Sequence, residues 1–218
     1  GMGGVSRWEL AAAVANAGGY ATLGMVREPT GLIEREVRAL RAATDRPFAV
    51  NLIPAATAPD LLDAQISCCL ALGVRAFSFF WDVVPSAVAR VKAAGCLVLH
   101  QIGTLQAARD AEAAGADVLV AQGIEAGGHV HGRIGAFALT AEILAETRLP
   151  VVVSGGVADG RALAAALAMG AAGVHCGTAF LATTESFAHD MHKRRLGAAH
   201  ASDTDRTEIF VLNWPRGA

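Results

Sequence analysis

The residues best suited to chemistry lie in one stretch, Gln122-Gly123-Ile124-Glu125-Ala126-Gly127-Gly128-His129. Imidazole exchanges protons near neutral pH, which makes His129 the candidate for proton transfer. Glycine lets a main chain take unusual dihedrals or approach a ligand closely, so Gly127 and Gly128 mark a ligand-facing backbone beside it. His131 follows in an H-x-H pattern. Two loop histidines need further ligands to hold a metal, and no acidic or thiol partner stands at suitable spacing, so no metal is expected. Glu125 has two readings, a base or a loop holder that accepts backbone hydrogen bonds.

Two more glycine turns occur at Ser154-Gly155-Gly156-Val157 and Cys176-Gly177-Thr178-Ala179. Successive glycines free backbone N–H groups to face an anion, and a helix N-terminus adds a favourable field. Ser154, Gly155, Gly156, Gly177 and Thr178 are therefore the candidate phosphate site. Asn51, Gln101 and Gln122 each stand at the carboxyl end of an expected strand. Three neutral carboxamides converging there suit a planar heterocycle with alternating donors and acceptors. Phe79, Phe80 and Trp81 read either as an apolar wall over a small substrate or as core.

The elements that must position these groups follow from a recurring phrase. An alanine-rich helical segment ends in glycine, and an apolar or β-branched run follows. It occurs at Asn16-Ala17-Gly18-Gly19, Ala71-Leu72-Gly73, Ala93-Ala94-Gly95, Ala113-Ala114-Gly115 and Ala168-Met169-Gly170. Each glycine stands where a helix must turn left-handed before the next strand. The pattern predicts strands over 20–26, 47–53, 74–80, 96–101, 116–122, 150–154 and 173–176, the run before Gln122 being buried on both faces. It predicts helices over 6–17, 31–43, 59–72, 85–94, 104–114, 138–146 and 159–169, the last capped by Asp159. Alternating strands and helices imply a parallel sheet, and units of equal size favour a (β/α)₈ barrel over an open sheet. Seven strands are one fewer than such a barrel needs. Ligands of these folds sit beyond the carboxyl ends of the strands, and the loops after the seventh and eighth commonly take phosphate.

The 218 residues suit one domain spanning 1–218, with 53% hydrophobic and 17% charged residues indicating a compact body. A formal net charge of -2 offers nucleic acid no basic surface. Every apolar run is interrupted by Gly, Arg, Asp or His before the roughly 18 residues a spanning helix needs, so no membrane partner is expected. Cys68, Cys69, Cys96 and Cys176 form no C-x-x-C pair and read as small buried hydrophobes in a reducing, cytoplasmic setting. Gly1 before Met2 reads as a tag remnant. His189, His192, Lys193, Arg194 and Arg195 are expected on a solvated helix.

The stretches AQGIEAGGH (121–129), PVVVSGGVADGRALAAALAMGAAGVHCGTAFLATTES (150–186) and FAVNLIP (48–54) resemble the nitronate monooxygenase family, formerly the 2-nitropropane dioxygenases. The similarity runs from MGGVS at 2–6 to NWP at 213–215. It implies an FMN-containing TIM barrel that oxidises alkyl nitronates with molecular oxygen and without a metal. By position, His129 matches the family's base toward neutral nitroalkanes. Asn51, Gln122 and Gly127 match flavin contacts, and Gly156, Gly177 and Thr178 match the phosphate end. Met2 and Gly3 match the turn that follows the family's first strand. The apolar run ending in Ala-Pro-Met that precedes this turn has no counterpart here, nor does the segment beyond Trp-Pro, the chain ending at Pro215-Arg216-Gly217-Ala218. The expectation is a barrel lacking its first strand and C-terminal segment, with its open edge covered by a neighbouring chain, as in a homo-oligomer, or by a rearranged terminus. Two rival readings remain at this level: an FMN-dependent enoyl-thioester reductase using a nicotinamide donor, and a flavin- or phosphate-binding protein without turnover.

Overall fold

The computed structural model describes residues 2–209 and 214. Gly1, residues 210–213 and the 215–218 end lie outside the described residues, so the tag reading and most of the Asn213-Trp214-Pro215 motif do too. Strands alternate with helices in the order α1 (Trp8–Asn16), β1 (Ala21–Gly24), α2 (Thr30–Ala43), β2 (Phe48–Leu52), α3 (Pro59–Ala71), β3 (Ala76–Phe80) and α4 (Pro85–Ala93). They continue with β4 (Leu97–Ile102), α5 (Leu105–Ala114), β5 (Val118–Gln122), α6 (Ala136–Leu144), β6 (Val151–Ser154), α7 (Gly160–Ala168), β7 (Gly173–His175), α8 (Thr178–Leu181) and α9 (Asp190–Ala198). All seven expected strands and seven expected helices are present. The basic segment forms α9, which buries no residue, with His189 as its N-cap.

The local signals act as their chemistry requires. Gly115 ends α5 in the left-handed region at φ 102, where an L side chain would be crowded. Asp159 caps α7 by accepting from the backbone nitrogens of Arg161 and Ala162. Among the cysteines, Cys69 and Cys96 are buried and Cys68 and Cys176 half-buried.

The strands form one parallel sheet in chain order, β1 to β7. Each strand lies beside its successor, so the helices all cross on one side and the sheet curls as in a TIM barrel. Because side chains alternate across a strand, one set packs outward under the helices. Leu23, Val50, Leu52, Phe77, Phe79, Val98, Ile102, Leu119 and Ala121 belong to this main core. Phe79 is thus core. The alternate set, including Asn51, Ser78, Gln101, Gln122, Ser154 and His175, faces the concave side near the carboxyl rim.

Among the described residues β1 and β7 are the edges of the sheet. The N-terminal residues run along the outer edge of β1. Gly24 N–H donates to the Ser6 carbonyl at 2.9 Å, and the Ser6 hydroxyl donates to the Thr22 carbonyl at 2.6 Å. This blunts an edge that would otherwise offer free donors and acceptors to another strand. Among the described residues no helix is long and apolar enough to cross a membrane.

His100 lies in the outward layer of β4, 1% exposed, with its ring edge-on to Phe79 and Nδ1 3.3 Å from the Gln101 carbonyl. Burial pushes its pKa down from 6.5 to about 4. The unfolded chain binds this proton below 6.5 and the folded chain only below about 4, so stability falls as pH drops through that window. His100 contributes up to about 1.4 kcal/mol per pH unit to the slope. Denaturant unfolding at pH 5 and pH 7 is expected to show this loss, and His100→Gln to flatten it.

Candidate functional site

The histidine loop leaves β5 at Gln122 and returns at α6. A Cβ on Gly123 would overlap the Ala136 nitrogen and the Glu125 carboxylate, so only glycine fits where the loop folds back. Glu125 accepts the Ala136 N–H through both oxygens, at 2.9 and 3.2 Å. Of its two readings the structure supports the second: the carboxylate clasps the loop to the first turn of α6, where its charge also suits the helix field. Gln122 grips the same loop from the barrel side. Its Nε2 donates to the His129 carbonyl at 2.9 Å, and its Oε1 accepts the His131 N–H at 3.3 Å.

Further along, the loop crosses the end of β4. Gly103 and Gly132 touch backbone to backbone, and a Cβ on either would overlap the other. This crossing carries the loop toward β3. There Trp81, only 1% exposed, has its backbone in the left-handed region at φ 75, a conformation unusual for a bulky residue. Its ring meets His131 at 4.9 Å and His129 at 6.5 Å, both edge-on. Asp82 Oδ1 lies 3.3 Å from His131 Nε2. Trp214 stacks face to face on His129, with ring centroids 3.7 Å apart and planes at 22°. Phe80 and Trp81 pack with Ile53 in a small cluster separate from the main core, so this pair lies on the site side while Phe79 does not.

The glycine turns meet the other half of the loop. Gly155 and Gly156 are both left-handed, at φ 103 and 68, a conformation that favours glycine. A Cβ on Gly127 would overlap the Thr178 hydroxyl, one on Gly155 would reach Ala126 N at 3.0 Å, and one on Gly156 would reach the Glu125 side chain. Gly128 is likewise left-handed, at φ 80. A Cβ on Gly177 would meet the Met2 side chain, and the Met2 carbonyl sits against Gly24. Met2 therefore reaches from the end of β1 to the turn after β7, and Gly3 packs on Val26. Segments 2–3, 123–128, 154–156 and 177–178 thus converge at the carboxyl rim, packed against one another at their glycines.

The carboxamides are not equivalent. Asn51, 4% exposed, donates Nδ2 to the Ser78 carbonyl at 2.9 Å, which leaves Oδ1 as its remaining polar atom. Gln122 spends both atoms on the histidine loop. Gln101 is half-buried at the end of β4, beside Phe80 in register. Ser154 Oγ lies 3.4 Å from His175 Nδ1, and burial holds the His175 ring neutral by pushing its pKa down to about 3. Sequence reasoning passed over His175, Asp82 and the Gly103–Gly132 crossing. The signal for His175 was its even spacing from Gly173, which puts it on the concave face beside Ser154; the crossing leaves no local trace.

The model of the nitronate monooxygenase family matches residues 1–67 and 58–212, and the chain belongs to that family. A nitronate monooxygenase of Paraburkholderia phytofirmans is 36% identical over 239 residues, covering 89% of this chain and 65% of that protein. A Mycobacterium tuberculosis protein, (3aS,4S,5R,7aS)-5-hydroxy-7a-methyl-1-oxo-octahydro-1H-indene-4-carboxyl-CoA dehydrogenase, is 41% identical over 199 residues, covering 89% of this chain and 55% of that protein. The solved nitroalkane oxidase of Streptomyces ansochromogenes superimposes with a TM-score of 0.81 at 35% identity, over 89% of this chain and 67% of that one. The chain thus spans between about half and two thirds of these relatives' lengths.

The grip of Gln122 has a measurable consequence. Gln122→Leu leaves the His129 carbonyl and the His131 N–H without their partner, and the expected loss is about 1–3 kcal/mol in unfolding free energy. Amide hydrogen exchange at His131 is expected to accelerate in the variant.

Proposed function

We propose that residues 1–218 form one FMN-binding barrel domain that oxidises small alkyl nitronates and nitroalkanes with molecular oxygen. The observation that carries this reading is the convergence of a left-handed glycine pair, the Thr178 hydroxyl and the His129 loop at the carboxyl rim of a parallel sheet. The fit to FMN rests on the same geometry. The phosphate falls to Gly155, Gly156, Gly177 and Thr178, where backbone N–H groups and a hydroxyl can face an anion. The planar ring system falls to Met2, Gly3, Gly127, Gly128 and the rim amides. Asn51 Oδ1 and Gln101 supply polar contacts, and Ser154 with its His175 neighbour lines the approach to the phosphate. When bound, FMN supplies a two-electron acceptor that oxygen can reoxidise.

The chain's own residues supply orientation and proton control. His129 takes the α-proton of a neutral nitroalkane, an acidic C–H whose removal leaves the charge on the nitro oxygens. Gln122, by holding the His129 carbonyl, sets the imidazole's place, and Trp81 limits its approach from one side. Trp214 covers the face of the ring, so a planar substrate that reaches it displaces the indole. Since 35 to 45% of the two relatives' lengths lies outside the aligned share, the substrate range belongs to this proposal and not to the fold.

A second reading draws on the 41% identical relative whose name is that of a CoA-ester dehydrogenase. A thioester also acidifies its α-carbon, so the same base serves, and the notable rival is FMN-dependent chemistry on a thioester with or without a nicotinamide donor. NADH consumption with an enoyl thioester, or flavin reduction by an acyl thioester, in a protein inert to nitronates favours it. Flavin binding with none of these reactions favours a protein without turnover.

For the leading reading, His129→Asn is expected to lower the oxidation of neutral nitroalkanes by about 100-fold or more, the usual worth of a positioned base. Preformed nitronates, which have already lost that proton, are expected to react at near wild-type rates. Oxygen uptake with each substrate measures the difference, and equal losses on both contradict the assigned role.

A further inference from the structure

The indole of Trp214 fills a slot beside the base, the size of a fused six- and five-membered ring. It stacks on His129 with centroids 3.7 Å apart and planes at 22°, and it meets Trp81 at 5.3 Å and 59°. Ile53, Phe80 and Trp81, all buried, pack with it in one apolar cluster. The Arg27 guanidinium lies over the ring, 5.5 Å from its centroid. Trp214 itself is half-buried, so the slot opens to solvent and a ligand can enter where the indole leaves.

Two walls of this slot are held in strained backbone. Among the described residues the non-glycine positions at positive φ are Arg27, at 57, and Trp81, at 75, and both face the Trp214 ring. Such conformations persist only where the surroundings enforce them, and they gather at ligand sites. Arg27 is fixed further by its Nε–H, which donates to the Ala56 carbonyl at 2.6 Å. Its guanidinium is thereby kept over the ring, where a cation is drawn to the π-face. A stacked imidazole, a tilted indole and a cation together favour an aromatic ring over an alkyl group of the same area. None of these walls is a group assigned above to the flavin, so the slot adjoins the base on the substrate side.

We infer that this slot is the seat of an aromatic ring on the substrate, and that Trp214 is its intramolecular occupant, displaced when such a substrate binds. The inference rests on the nitronate reading above and extends it from small alkyl compounds to nitroalkanes that carry a phenyl- to indole-sized ring beyond the reacting carbon. Burying that ring supplies affinity remote from the chemistry, and the anchor holds the α-carbon near His129. The indole sets the selectivity. A ring binds only to the fraction of molecules whose slot is open, so the apparent affinity is lowered by that fraction.

The test uses the FMN-loaded protein, with indole as the probe of the slot and ¹³C-labelled histidine as the reporter. The His129 ring cross-peak is the one missing from His129→Asn. In Trp214→Ala, indole is expected to bind saturably and to shift the His129 cross-peak, with an affinity at least about tenfold above that of wild type, whose own indole competes. Trp214→Leu takes its place if that variant does not fold. Oxygen uptake by wild type is the second measurement and needs no variant. Its kcat/KM for 1-nitro-2-phenylethane is expected to exceed that for nitroethane by at least about tenfold, the least that burying a phenyl ring contributes. Indole affinity equal in wild type and variant, a His129 signal unmoved by indole, or equal kcat/KM for the two substrates overturns the inference and leaves nitronate oxidation standing. If wild type oxidises neither nitro compound nor a preformed nitronate, the functional reading fails, and the indole titration alone then decides whether the ring seat exists.

Discussion

Everything at the candidate site depends on seven strands that run the same way in chain order. A parallel ladder puts every carboxyl end on one rim, and the two-residue period of a strand divides its side chains between helix-covered core and concave face. The outward set is apolar apart from the buried His100, from Leu23 through Ile102 to Ala121. Toward the rim the inward set carries Asn51, Ser78, Gln101, Gln122, Ser154 and His175. The same constraint that buries the core thus gathers the polar side chains where loops of different ancestry in the chain can meet.

What those loops do is decided by close backbone approach and by a few side chains that act as clasps. Gly103 and Gly132 can cross only because neither has a Cβ, and Gly127 admits the Thr178 hydroxyl for the same reason. Glu125 ties the loop to α6 and Gln122 ties it to β5. His129 is therefore carried on a loop held at several points, which fixes its place at the rim. The price in conformational freedom is the left-handed backbone at Trp81, Gly155 and Gly156, found at the site and at helix ends.

Much of the fold was legible because its signals are local. The glycine after each alanine-rich segment marks a helix end, and the apolar runs that follow mark buried strands; both give element order, and order with parallel pairing gives the rim. The glycine turns at 155–156 and 177 were legible as turns at the carboxyl rim for the same reason. Less legible were roles that depend on partners distant in sequence. Glu125 could be read as base or clasp until Ala136 was seen beneath it. Gln122, expected at a ligand, proves also to be bonded to residues 129 and 131. His175 became notable only through its register with Ser154. No local rule anticipates Trp81 at positive φ, since tertiary packing imposes it against intrinsic preference.

The central claim is that the glycine turns at the rim hold the phosphate of FMN. The most direct measurement is a spectroscopic titration of flavin-free protein with FMN and, in parallel, with riboflavin, which has the same ring system and no phosphate. The account predicts a bound-flavin spectrum with FMN and binding at least about tenfold weaker with riboflavin, the least that losing charge-assisted contacts to the phosphate would cost. Equal affinity for the two flavins, or no binding of either, would contradict it.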